Sequence, residues 1–158
     1  MILKLHLLFF ACMLYSMNMS GQTVSLVPTS MSPITFTFGA PTSAGDKPAD
    51  FTNTSQYLHY RGSNQNVTFV QVNFTNSTIP PGIKFYLVAA APTTLGKGTP
   101  DPEFEVGYTP HNIMTNIDIQ APNIEVLLTL RIVIDSFLDL RAQSYPLTLT
   151  YTILAQWW

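Results

Sequence analysis

Hydrophobic and polar residues alternate along most of this chain with a period of two, the repeat of an extended strand whose side chains point to opposite faces. The clearest case is Ile124–Asp135. Its even positions are all apolar (Ile124, Val126, Leu128, Leu130, Ile132, Ile134), and its odd positions include Glu125, Thr129, Arg131 and Asp135. The segment Leu147–Ala155 repeats the pattern, with Leu147, Leu149, Tyr151, Ile153 and Ala155 on one side and Thr148, Thr150 and Thr152 on the other. Ile34, Phe36 and Phe38 alternate with Thr35 and Thr37. Each spacing predicts a strand with one buried and one wet face.

Further strands are expected at Val24–Val27, Tyr57–Arg61, Val67–Phe74, Ile83–Ala91, Phe104–Tyr108 and Ile113–Ile119. Within Val67–Phe74 the apolar residues change phase between Phe69 and Val70, which predicts a β-bulge there. Ile83–Ala91 ends as a continuous apolar run, the mark of a central strand covered on both faces. Turn-forming residues separate these runs: 40–45 (APTSAG), Gly62–Asn64, Pro80-Pro81-Gly82 and 96–102 (GKGTPDP). A helical turn or two is expected within Ser136–Ala142. About nine short strands at this spacing predict an all-β fold, a single immunoglobulin-like or Greek-key β-sandwich of about eight to nine strands.

The N-terminus breaks the pattern. Lys4 supplies a positive charge, Leu5–Tyr15 is apolar apart from His6, and a small polar stretch runs from Ser16 to Gly21. About 11 apolar residues are too few for a helix across a hydrocarbon core of about 30 Å, which takes about 20, but they suit a secretory signal peptide. Cleavage after Gly21 divides the chain into a leader, 1–21, and a sandwich domain, 22–158. The expected location is secreted, extracellular or cell-surface.

Composition narrows the function classes. Of 158 residues, 46% are hydrophobic and only 10% charged, against about 25% charged in an ordinary domain. Threonine, serine, asparagine and glutamine take the polar positions instead. Removing the leader takes away Lys4 and no acid, which leaves six basic and nine acidic residues, net −3. An acidic chain with no Lys/Arg cluster has no electrostatic footprint for nucleic acid.

The single cysteine, Cys12, lies in the leader. Disulfides, thiolate metal sites and cysteine nucleophiles are therefore excluded from residues 22–158. Ala11-Cys12 also reads as the end of a bacterial lipobox, which would make Cys12 a lipidated first residue and a membrane anchor. Phe9 and Phe10 stand where that motif has a branched aliphatic and a small residue, so an ordinary leader cysteine is expected.

Little in the chain suggests catalysis. His59 and His111 are the histidines beyond the leader, and neither has a carboxylate at a motif spacing. There is no Gly-x-Ser-x-Gly elbow, His-Glu-x-x-His pair or phosphate-cradling loop. No catalytic, cofactor-binding or metal-binding set is expected, and the protein is read as no enzyme. Asp101, Glu103 and Glu105 form the densest acidic group, but without a calcium-loop spacing they read as the wet face of a strand. Asn53, Asn66, Asn73 and Asn76 each begin an Asn-x-Ser/Thr triplet, read here as a by-product of Thr/Asn-rich strands.

The segments 34–46 (ITFTFGAPTSAGD), 57–62 (YLHYRG), 67–75 (VTFVQVNFT), 79–91 (IPPGIKFYLVAAA) and 146–154 (PLTLTYTIL) resemble small secreted β-sandwich proteins of Bacteroidetes-type bacteria. Those are broadly similar to spore-coat-U and pilin-like surface domains. The resemblance covers most of residues 22–158 and implies an immunoglobulin-like sandwich in a surface coat or fibre. Spore-coat-U domains usually carry cysteines, and here residues 22–158 have none.

The expected function is thus a non-catalytic structural or interaction protein, a subunit of a fibre or coat. Its partners would be itself, through strand-mediated assembly at Thr23–Val27 or Leu147–Gln156, or another surface protein. A second reading is a carbohydrate- or ligand-binding surface module, with Tyr57, Tyr60, Tyr108, Tyr145, Trp157 and Trp158 as candidate stacking residues. A third is a small outer-membrane β-barrel, suggested by the aromatic C-terminus and charge-poor strands. Twelve prolines, and strands shorter than the about 9–11 residues that cross a membrane, favour the sandwich.

Overall fold

The computed structural model describes residues 49–61, 68–75, 78–93, 97–118, 124–136 and 145–155. The leader, Cys12, the strands expected at Val24–Val27 and Ile34–Phe38, the turn at Ser136–Ala142 beyond Ser136, and Trp157-Trp158 lie outside the described residues.

Eight strands are present: β1 (Phe51–Tyr60), β2 (Thr68–Thr75), β3 (Ile83–Ala89), β4 (Lys97–Pro100), β5 (Phe104–Glu105), β6 (His111–Ile117), β7 (Ile124–Ile134) and β8 (Thr148–Ala155). The odd-numbered strands form one sheet in the order β1-β7-β3-β5, and the even-numbered strands form another in the order β4-β6-β2-β8. Every pairing is antiparallel. The expected all-β sandwich is the fold, and the described strands close two separate sheets rather than one barrel.

The pairing has a simple order. β1 pairs with β7, β2 with β6 and β3 with β5, as in one long ribbon doubled back near β4. Rolling that ribbon brings β3 to β7, β4 to β6 and β2 to β8. Successive described strands therefore sit in opposite sheets, the Greek-key pattern of a jelly roll.

β7 anchors the first sheet. Val126, Leu128, Leu130, Ile132 and Ile134 are buried, as the alternation predicts. Val126, Leu128, Leu130 and Ile132 meet Leu58 and Tyr60 of β1, Phe85 and Leu87 of β3, and Val70, Val72 and Ile113 of the opposite sheet in one core. Phe74 and Phe85 bridge the layers edge to face, with centroids 5.1 Å apart and rings at 74°, a favoured aromatic geometry. Tyr60 is 1% exposed, and its hydroxyl donates to the Lys97 carbonyl at 2.7 Å.

Several expectations need correction. An irregularity does fall near Phe69–Val70 in the pairing with β6, but the extra residues lie on the partner strand. β2 pairs with β8 without a break, and its side chains alternate throughout, with Thr68 buried and Phe69 turned to the other face. Against β6, the step from Thr68 to Val70 spans Ile117 to Met114, and the step from Val70 to Gln71 spans Met114 to Asn112. The extra residues thus belong to β6, where Asn116 has φ 51° and Ile113 and Met114 are both buried. Asparagine tolerates this left-handed conformation better than most side chains.

The segment 96–102, expected as a turn, contains β4, whose Gly98 at φ 125° packs against Met114 and Ile117. Phe104–Tyr108 is a strand only at Phe104–Glu105. Beyond it the chain crosses between layers, with the Val106 amide donating to Phe85 O and the Phe74 amide to Gly107 O. β3 is interior to its sheet, but Lys84, Tyr86 and Val88 alternate outward and are only half-buried.

The Pro80–Gly82 turn is as expected. Ile83 N donates to Pro80 O, and Gly82 has φ 75°, which fits Pro-Gly at the centre of a type II turn. Gly82 O then accepts from Asp135 N and Ser136 N, tying the start of β3 to the end of β7.

β1 carries its own register shift between Asn53 and Gln56. There Asn53 Oδ1 accepts hydrogen bonds from the Ser55 amide and hydroxyl. The extra residue switches the inward positions from Phe51 and Asn53 to Gln56, Leu58 and Tyr60, and so returns the apolar end of β1 to the core.

Candidate functional site

The densest polar cluster lies on the outer face of the first sheet, where register brings β7, β3 and their neighbours together. Arg131 stands opposite Tyr86 on one side and Thr52 on the other. Its guanidinium carbon sits 4.4 Å above the Tyr86 ring centroid, a cation–π distance. Nε donates to Glu103 Oε1 at 3.0 Å, Nη2 to Glu103 Oε2 at 2.6 Å and Nη1 to Asp50 Oδ2 at 3.2 Å. The two-pronged bond matches the planar fork of arginine to a carboxylate. These bonds hold the Glu103 carboxyl below its ordinary value, and Glu103 in turn raises Arg131. Alongside, Lys84 Nζ lies 2.6 Å from Asp135 Oδ2, and hydrogen bonding to Asp135, then its charge, raises Lys84.

The histidines are far apart in the topology. His59, on β1, faces Glu125 of β7, with Nε2 3.2 Å from Oε2. The approach lacks the angle of a hydrogen bond, and His59 Nε2 is buried without a partner that satisfies it. Proximity alone is a weaker contact than a directed bond. His111 begins β6 in the other sheet. Its ring stacks on Phe104 at 3.9 Å between centroids, and its Nε2 lies 3.7 Å from Asp101 Oδ2.

The acidic group of the sequence is divided by this arrangement. Asp101 turns toward His111, Glu103 is bound to Arg131, and Glu105 lies in register with Tyr86. Among the described residues no three histidine or acidic side chains gather around one point. The candidate stacking residues are divided as well. Tyr60 is in the core, a correction to its expected exposure, and burial pushes its phenol well above the ordinary range. Tyr57 on β1 and Tyr108 in the β5–β6 connection are exposed, at 43% and 54%. The Asn73 side-chain amide, part of one glycosylation triplet, donates to the carbonyls of Phe74 and Tyr108.

The Arg131 cluster was not legible in the sequence, because Asp50, Tyr86, Glu103 and Arg131 are up to 81 residues apart. The available signal was a lone arginine on the wet side of the most regular strand. With this geometry established, no protein-family model, curated protein or solved structure matches the chain.

Proposed function

We propose that this chain is a non-catalytic structural or interaction protein, exported and held outside the cell or on its surface as part of a larger assembly. The observation that carries the proposal is how its ionisable side chains are used. Arg131 binds Glu103 and Asp50, and Lys84 meets Asp135, each time joining separate elements of one sheet. His59 and His111 each face one carboxylate, from opposite sheets. General acid–base and nucleophilic catalysis need such groups converging within hydrogen-bond reach of one reacting atom. Among the described residues, Arg131 and Lys84 brace the first sheet instead.

Sedimentation velocity on the secreted protein over a wide concentration range tests the assembly. The expected result is growth in mass with concentration, and a monomer at every concentration defeats self-assembly. Turnover of ester, glycoside or peptide substrates by folded protein would defeat the non-catalytic assignment.

A further inference from the structure

The two outer faces of the sandwich differ in chemistry. The first sheet displays Lys84, Glu105, Glu125 and Arg131. In the second sheet neither β2 nor β8 contains a charged residue. Their register places Phe69 opposite Leu154, Gln71 opposite Thr152 and Asn73 opposite Thr150, all on the face turned away from the core. Thr152 and Leu154 are exposed.

We infer that this β2–β8 face is a docking surface for a neutral polysaccharide. The inference rests on the non-catalytic interaction role above and names the partner.

Three observations carry it. The first is charge. An anionic polymer would find no counter-charge on these strands, whereas threonine hydroxyls and asparagine or glutamine amides both donate and accept, as sugar hydroxyls do. The second is apolar surface at one end, where Leu154, 39% exposed, lies opposite Phe69. Such a surface suits the C–H face of a sugar ring. From Phe69 to Thr75 the strip runs about 20 Å at about 3.3 Å per residue, room for several rings.

The third observation is pre-organisation. Thr75 and Thr150 share a hydrogen bond between their hydroxyls, and Gln71 Nε2 donates to Asn112 Oδ1 at 3.1 Å. Side chains held this way lose less freedom when a ligand arrives. A second copy of the chain suits the face less well. Laying a hydroxyl ladder on its twin desolvates many donors and acceptors, with only Phe69 and Leu154 to drive the contact.

The test is retention of the whole secreted chain on cellulose, insoluble β-1,3-glucan and starch, with pectate and heparin-agarose as anionic comparators. Thr152→Glu and Thr150→Lys alter the face, Thr129→Glu alters the opposite sheet as a control, and thermal melts report on folding. The expected result is retention on at least one neutral polymer, unchanged by added salt. Thr152→Glu and Thr150→Lys should weaken it by about tenfold or more, and Thr129→Glu should not. Retention on none of the neutral polymers overturns the inference, as does equal retention of folded Thr152→Glu. Salt-sensitive retention on the anionic polymers alone also overturns it. Self-association abolished by Thr152→Glu, without polymer retention, would give the face to a second copy. Release of soluble sugar in the same tubes would defeat the non-catalytic reading and leave the docking face standing.

Discussion

The Tyr60 hydroxyl donates to the Lys97 carbonyl oxygen at 2.7 Å, joining the last residue of β1 in one sheet to the first residue of β4 in the other. Removing the hydroxyl leaves that carbonyl without this donor in a part-buried setting. Tyr60→Phe is therefore expected to destabilise the domain by about 1–3 kcal/mol, read from urea unfolding. An unchanged urea midpoint would show that water replaces the tyrosine.

Alkaline pH should expose the same burial. Burial raises the Tyr60 and Tyr151 phenols above their ordinary value. With the folded-state pKa raised, their contribution is fully present below about pH 10, the unfolded value. It is lost as pH rises beyond that, because the unfolded chain releases its protons first. Stability should fall from about pH 10 upward, and less steeply in Tyr60→Phe. Equal slopes in the two proteins would remove Tyr60 from the account.

Acid acts through Glu103, with the opposite sign. Its carboxyl is lowered by hydrogen bonds from Arg131. The stabilisation is therefore present above the ordinary carboxylate value of about 4.3 and disappears as pH falls through the lower, folded value. Glu103→Gln should shrink the acid-side loss of stability seen in thermal melts between neutral pH and pH 3. Both groups are partly exposed, so added salt should reduce the difference.

Two glycines should respond differently to alanine. Gly82 combines φ 75° with a position where an added Cβ would lie 2.3 Å from Ser136 O, while a Cβ on Gly107 would meet nothing within 4 Å. Gly82→Ala is expected to cost about 1–3 kcal/mol, and Gly107→Ala to stay within about 0.5 kcal/mol. Similar melting points for the two variants would mean that the β3 turn yields more easily than this contact implies.

In the core, Leu87 is 1% exposed on β3. Leu87→Ala should destabilise by about 2–5 kcal/mol. Val88→Thr, one residue on and facing outward, should change little. Chemical denaturation of the pair checks the assigned faces directly.

The sequence by itself determined the class of element and, for the regular strands, which side chains face inward. The even positions of β7 from Val126 to Ile134 are buried as their spacing requires, because alternation is a local property and apolar side chains gain by leaving water. The Pro80–Gly82 turn was equally readable, since proline and glycine act through their own backbone angles. Only the tertiary structure decided the rest. Which strand pairs with which, and so the meeting of Asp50, Glu103 and Arg131, depends on loop closures between distant residues that leave no periodic trace. The strand that carries the bulge was hidden for the same reason. The register shift falls at Phe69–Val70 of β2, yet the extra residues were taken up by β6, one between Met114 and Ile117 and one between Asn112 and Met114, because β2 is held in register along its whole length by β8. Likewise, Thr150 and Thr152 are ordinary wet-face residues in one strand. They become part of an uncharged strip only when β8 lies beside Gln71 and Asn73 of β2.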